Sequence, residues 1–128
     1  MLAPPAHAVE VGVGQLLGRL RADARVVNLE GHNLAVVDGS VIPDAAGVVT
    51  IDVSYLPAAD ALDQLAGLAF AARADLVVLV KPTFELGAAA LVRDDERVEQ
   101  AVERVVRAMA RQGWELRGRC AAPVTGRG

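Results

Sequence analysis

Short β-branched runs alternate along the chain with segments whose apolar residues recur at helical spacing. An alternation of Ala, Val and Gly predicts a strand at residues 7–13, and β-branched runs predict strands at 25–30, 47–53 and 75–80. A last strand is expected at 114–120, and residues 34–37 could add a short one. The helical spacing predicts helices at residues 15–21, 56–73 and 94–112, whereas residues 84–91 are typical of a loop. This order of elements predicts an α/β fold, in which a parallel sheet carries helices on both faces.

The length and the charge limit the classes of protein to consider. A chain of 128 residues fits a single domain, which we expect at 7–128 behind a flexible N-terminus at 1–6. With 53% hydrophobic residues the chain can form a true core. The net charge of −3 lacks the basic excess of a free-standing nucleic-acid binder, so a polyanionic partner would need a local patch or a helper domain.

Cysteine and histidine offer few candidates for a disulfide or a metal site. Cys120 is the only cysteine, so no intramolecular disulfide can form, which suits a reducing compartment. The residues at 1–6 do not resemble a signal peptide, and no run of about 18 apolar residues suggests a membrane span. We therefore expect a cytoplasmic protein. His7 and His32 are far from Cys120 in sequence, and we expect no metal site.

Ligands of parallel α/β sheets bind at the carboxyl ends of the strands, which directs attention to the polar residues there. Glu10 ends the first predicted strand and is followed by Gly12 and Gly14, where glycine would let a ligand approach the backbone. Glu30 ends the next strand and could bind the two hydroxyls of a ribose. An ordinary strand–helix turn beside a solvated acid explains the same spacing equally well.

A second group of polar residues follows the two later strands. Asp52 and Ser54 come after a buried-looking strand, where a helix N-cap is the simplest role for either. Lys81 follows the strand at 75–80 and is the only lysine among thirteen basic residues. Lysine can lose its proton when desolvated, whereas arginine effectively cannot. Beside Asp52, Lys81 could deprotonate or steer a substrate hydroxyl, although a surface lysine that caps carbonyl groups is the alternative.

Read in order, these segments resemble the methyltransferase domain of the TlyA (hemolysin A-like) family, which is related to the FtsJ-type enzymes. The matching pieces are GVGQLLGRLRADARVVNLEGHN (12–33), IDVSYL (51–56), LVKPTFELG (79–87), LVRDDE (91–96) and APVTG (122–126). They cover nearly the whole chain in family order. The pieces VKP-x-FE and DVS-[FY] are the most specific of them.

The resemblance implies a Rossmann-like domain that binds S-adenosylmethionine and methylates a ribose 2′-hydroxyl in ribosomal RNA. The related enzymes use a Lys-Asp-Lys-Glu set, in which Asp52 falls on the aspartate and Lys81 on the second lysine. The lysine would activate the ribose hydroxyl and the aspartate would tune it, with Glu85 beside them as a third catalytic candidate. The cofactor-binding candidates share the first two strand ends: Glu10, Gly12, Gly14, Glu30 and Asn33.

The family register and the generic spacing place Glu10 differently. In the family register Glu10 ends the second strand and binds the cofactor ribose. The first strand with its glycine-rich loop, the first lysine, the closing glutamate and the S4-like domain then have no counterpart in the sequence. In the second register residues 10–14 are the cofactor loop and Glu30 is the ribose acid. The family register predicts a shortened member whose sheet lacks its central strand, a gap closed by rearrangement, by a homodimer or by a partner protein.

Three functions remain open at this point. The first is a reduced or degenerate methyltransferase that still binds S-adenosylmethionine. The second is a repurposed enzyme of small-molecule biosynthesis that performs a cyclisation or isomerisation around Asp52, Lys81 and Glu85. The third is a non-catalytic binding or partner subunit. Cofactor binding at Glu10 and Glu30 separates the first from the other two.

Overall fold

The computed structural model describes residues 5–124 and contains helices and strands in alternation. The strands of this part of the chain are β1 (Ala6–Glu10), β2 (Val26–Glu30), β3 (Ala46–Ile51) and β4 (Phe70–Val78). Its α-helices are α1 (Gly18–Arg21), α2 (Ala58–Gln64), α3 (Pro82–Glu85) and α4 (Asp95–Arg111), and 3-10 turns lie at Leu34–Val36 and Leu65–Gly67. The first four residues of the expected flexible tail at 1–6 and the last two of the APVTG motif (122–126) lie outside these residues.

The strands form two separate parallel pairs. β1 pairs with β2 in a register that sets Glu10 beside Glu30, and β3 pairs with β4 so that Ile51 lies beside Val78. The parallel pairing is as predicted, but within residues 5–124 the pairs do not merge into one sheet. Residues of β1 and β3 line the two sides of one cavity. The missing central strand of the family register stays a prediction.

The core lies where α2 packs against α4. Leu62 on α2 is fully buried, and Val105 and Ala108 on α4 are buried as well. The predicted long helix is confirmed as α4, because Asp94 caps its N-terminus by accepting a hydrogen bond from the Arg97 amide at 3.1 Å. Gly113, at φ +84°, ends it in the left-handed conformation that glycine adopts readily.

The predicted helix at 56–73 is wrong in its second half. α2 ends at Gln64, a 3-10 turn follows, and Leu68 is already extended, with φ −101° and ψ 150°. Phe70 then begins β4 and pairs with Ala46. The apolar spacing of this segment fits a helix, but its last residues form a strand that pairs with β3.

Other predictions differ from the structure in smaller ways. The strand expected at 114–120 is wrong, because this segment is irregular. Two side-chain contacts hold it: Trp114 packs edge-on against Phe70 with ring centroids 5.2 Å apart, and Arg119 forms an ion pair with Glu99. The short strand at 34–37 is a 3-10 turn, the helix at 15–21 shrinks to α1, and the loop at 84–91 opens with the last residues of α3.

No helix among residues 5–124 is both long enough and apolar enough to cross a bilayer. The same part of the chain contains no cluster of three or more histidine, cysteine, aspartate or glutamate side chains placed to hold a metal ion.

Candidate functional site

Lys81 forms the centre of the polar cluster that follows β3 and β4. Its Nζ lies 2.7 Å from Asp52 Oδ1 and donates a hydrogen bond to Ser54 Oγ at 2.9 Å. The two strands are parallel neighbours, so the loops that carry these side chains emerge at the same edge. The structure thus brings together the expected pair. The Lys81 side chain is 30% exposed and Asp52 is 66% exposed, so both can reach a ligand.

Ser54 has a different role from the helix cap that its sequence position suggested. It accepts the Lys81 hydrogen bond, and the N-cap position of α2 is occupied by Pro57. An ammonium group has three N–H bonds, and two of them are directed at Asp52 and Ser54. The third is left for a substrate oxygen.

Glu85 is buried and binds the N-terminus of α2. Only 3% of its surface is exposed, and its two carboxylate oxygens accept hydrogen bonds from the amides of Ala58 and Ala59, the second at 3.3 Å. A carboxylate at this end of a helix satisfies two unpaired donors and favours the helix dipole. In this geometry Glu85 also anchors the turn that begins at Lys81, whose carbonyl accepts from the Glu85 amide at 3.0 Å. The catalytic role expected of Glu85 stays a prediction.

Glu30 holds the glycine-rich turn in place. One carboxylate oxygen accepts from the Gly14 amide at 2.9 Å, and the other accepts from the Leu16 amide at 2.8 Å and from Arg21 Nη2 at 3.2 Å. These bonds, first the one from Gly14 and then the one from Leu16, lower the pKa of Glu30 to about 2. The acid expected to bind a cofactor therefore binds its own loop.

We expect the turn at 12–16 to detach in acid before the core unfolds. The pKa of Glu30 falls from its ordinary value of 4.5 to about 2 on folding, so its stabilising contribution is complete above pH 4.5 and disappears as pH falls towards 2. Amide NMR shifts of Gly14 and Leu16 would follow this change. In Glu30→Gln the same shifts should not titrate over this range, and titration unchanged by the substitution would contradict the assignment.

Glu10 and its neighbours show what remains available to a ligand. Glu10 is exposed, and its Oε1 accepts from the Gly12 amide at 2.9 Å. A Cβ at Gly12 would meet Gln15 Cγ at 3.0 Å, so a larger residue there would require the flexible Gln15 side chain to shift. Gly14 has φ +76°, a second position that favours glycine. Asn33 Oδ1 accepts from the Ala35 amide at 3.0 Å and so caps the 3-10 turn.

The cavity between β1 and β3 has a volume of about 1120 Å³ and a polar end. The side chains at that end come from the loops after β1, β2 and β3, and include Glu10, Gln15, His32, Asp52, Ser54 and Tyr55. From the sequence, His32 was not expected at a ligand site. Its Nδ1 lies 2.9 Å from the Glu30 carbonyl oxygen, to which the ring donates. Its position two residues after a strand end was the one signal that could have identified it.

The chain is similar in sequence to known proteins. The chain is 36% identical over 124 residues to the 16S/23S rRNA (cytidine-2′-O)-methyltransferase TlyA of Mycobacterium tuberculosis, a match that covers 93% of this chain and 46% of that protein. It is 32% identical to the Bacillus subtilis protein named "Putative rRNA methyltransferase YqxC", over 97% of this chain and 46% of that one. The chain is a homologue of the TlyA-like proteins.

Solved structures place the chain in the same group. A structure titled "Putative hemolysin from Streptococcus thermophilus" superposes with a TM-score of 0.85 at 29% identity, covering 97% of this chain and 46% of that one. No family profile matches the chain. The similar proteins and the superposed structure confirm the resemblance to TlyA that the sequence showed. The chain spans about half the length of the curated TlyA-like relatives that it matches.

Proposed function

We propose that this chain is a methyltransferase-like domain with a Rossmann-like fold that binds S-adenosylmethionine and acts on a ribose 2′-hydroxyl in ribosomal RNA. The observation that carries the proposal is the placement of Lys81 between Asp52 and Ser54 at the carboxyl ends of two parallel strands. The names of the relatives support the same reaction class.

Asp52, Ser54 and Lys81 have separate roles in activating the substrate hydroxyl. Asp52 and Ser54 fix the direction of the Lys81 ammonium, whose remaining N–H bond binds the attacking oxygen. As the oxygen attacks the methyl group, its proton passes to the exposed Asp52 carboxylate, and the Lys81 cation stabilises the negative charge that develops on the oxygen. Asp52, the more exposed of the ion pair, is placed to accept a hydrogen bond from the ribose.

The residues of the cavity suit the proposed cofactor. The polar end of the cavity offers the exposed Glu10 carboxylate to the ribose hydroxyls of a nucleoside ligand. Gln15 and His32 line the same end and could bind further polar groups. S-adenosylmethionine would supply an electrophilic methyl group there. Glu30 is engaged with Gly14 and Leu16, which supports Glu10 as the ribose acid and the family register over the second one.

Calorimetric titration with S-adenosylmethionine and S-adenosylhomocysteine tests this proposal. We expect micromolar binding, weakened at least about tenfold by Glu10→Ala because a carboxylate–hydroxyl hydrogen bond is lost. Glu103→Ala, which removes an exposed acid on α4, should bind as the unmodified protein does. Absence of binding at millimolar cofactor would contradict the proposal. A loss in Glu30→Ala alone, with Glu10→Ala unaffected, would favour the second register.

A further inference from the structure

The walls of the cavity between β1 and β3 are strand edges rather than side-chain surfaces. Every residue from 44 to 55 lines the cavity, so the backbone of β3 runs along it for the whole length of the strand. Residues 5–7 and 9–11 line the opposite side, which is the edge of β1. A small-molecule pocket would instead be lined by side chains from scattered positions.

The hydrogen bonds of β1 show which of its amides face the cavity. The Ala6 amide donates to the Arg25 carbonyl at 2.8 Å, and the Glu10 carbonyl accepts from the His32 amide at 3.1 Å. In a parallel ladder the groups that point to one neighbour come from alternate residues. Residues 6, 8 and 10 therefore face β2, and the N–H and C=O groups of His7 and Val9 face the cavity.

The same argument applies to β3. The Ile51 carbonyl accepts from the Leu79 amide at 2.9 Å, so the backbone groups of residues 49 and 51 face β4. The groups of Val48 and Thr50 then face the cavity. Two strand edges with open ladder positions thus face each other across one cleft, and an open strand edge is a template for pairing with a further strand.

We propose that this cleft, defined by the edges of residues 6–10 and 46–51, is the docking slot for an extended apolar β-strand from another polypeptide. The inserted strand joins the two parallel pairs into one sheet by pairing with His7 and Val9 on one side and with Val48 and Thr50 on the other. The polar end beyond Glu10 and Asp52 stays open, so the slot and the proposed cofactor site occupy different parts of the cavity.

The composition of the cleft fits a strand that is apolar on its buried face. The lining contributed by the core includes Val9, Val49, Ile51, Leu65 and Phe70. A strand with both edges paired is buried, and buried parallel strands are near-continuous apolar runs. The relatives carry additional polypeptide from which such a strand could come, since the Streptococcus thermophilus protein matches 97% of this chain with only 46% of its own length.

Acidic residues at the two ends of the cleft indicate what should flank the strand. Asp44 lines it beside the start of β3, and Glu10 and Asp52 line it beyond the ends of β1 and β3. A suitable probe is therefore an acetylated, amidated peptide in which a run of valines is flanked on both sides by glycine and two lysines. The matched control is the same peptide with alternate valine amides N-methylated, which keeps its apolar surface but removes the ladder donors on one edge.

Hydrogen exchange of the full chain with and without the probe tests the proposal. We expect the amides of His7, Val9, Val48 and Thr50 to exchange rapidly alone and to become protected by the peptide, with affinity at least about tenfold weaker for a peptide N-methylated on either edge. Protection confined to other amides, equal binding of the N-methylated peptides, or no binding at millimolar peptide would overturn it.

A pair of proline variants provides an independent check. His7→Pro removes a donor that faces the slot and should weaken peptide binding about tenfold while the β1–β2 ladder stays intact. Ala8→Pro removes a donor that faces β2 and should disrupt β1 itself. Equal peptide affinity for His7→Pro and the unmodified chain would contradict the proposal. Neither readout depends on S-adenosylmethionine, so a failure here is distinguishable from a failure of the proposed function.

Discussion

Replacing Glu85 with alanine is expected to lower the free energy of unfolding by about 3 kcal/mol, because two donors at a helix N-terminus lose their buried partner. Glu85 is only 3% exposed, and its carboxylate accepts hydrogen bonds from the amides of Ala58 and Ala59. Water cannot easily replace it, since Ala58 and Ala59 are 3% and 4% exposed. Urea denaturation followed by circular dichroism at pH 7 would measure the loss.

Two further variants distinguish an anchoring from a catalytic role for Glu85. Glu85→Gln keeps one acceptor oxygen and should cost roughly half as much as the alanine variant. Glu103→Ala removes an exposed partner of Arg107 on α4 and should change stability by less than about 0.5 kcal/mol. A Glu85→Ala protein as stable as the unmodified one would contradict the anchoring role and favour the catalytic one.

The elements that the sequence predicted well are those whose pattern is settled locally. α4 combines a capping aspartate, acidic residues in its first turn, an apolar stripe and a terminal glycine, so each signal indicates the same helix. β2 is a β-branched run between polar turns and needs no distant partner to be recognised. Lys81 and Asp52 were paired correctly because parallel neighbouring strands bring their carboxyl ends together.

The elements predicted wrongly depend on contacts between distant residues. Leu68 and Phe70 have helical spacing with the residues before them, yet Phe70 pairs with Ala46 and packs against Trp114. The segment at 114–120 was expected to be a strand, but in the structure it is irregular and the Arg119–Glu99 ion pair holds it in place. Apolar periodicity cannot choose between two such outcomes, because the deciding partner lies elsewhere in the chain.

For the acidic residues of the candidate site, the sequence predicts the position but not the hydrogen-bond partner. A carboxylate at a strand end lies near loop amides, and the sequence indicates that much for Glu10, Glu30 and Glu85 alike. It does not indicate whether a ligand or the protein takes the acceptor oxygens. The structure assigns Glu30 to the amides of Gly14 and Leu16, and Glu85 to those of α2. Of the three, Glu10 is the one that remains exposed.

Replacing Lys81 with arginine is expected to slow methyl transfer by at least about 100-fold, although the charge is kept. The Lys81 ammonium is a compact donor held by Asp52 at 2.7 Å and by Ser54 at 2.9 Å. The longer, planar guanidinium would bind Asp52 in a different geometry and would not direct a single N–H bond at the substrate oxygen. The initial rate of transfer of a labelled methyl group from S-adenosylmethionine to bacterial ribosomal RNA would measure the effect.

Two controls separate an effect on the rate of methyl transfer from an effect on cofactor binding or on folding. Calorimetry should give the same S-adenosylmethionine affinity for Lys81→Arg and the unmodified protein, since Lys81 is proposed to act on the hydroxyl and not on the cofactor. Arg104→Ala, which removes an exposed cation of α4, should transfer methyl groups at the normal rate. A fully active Lys81→Arg protein would contradict the role proposed for Lys81, because arginine keeps the charge but not the compact donor held by Asp52 and Ser54. An unmodified protein that binds the cofactor but transfers no methyl group would instead limit the proposed function to binding.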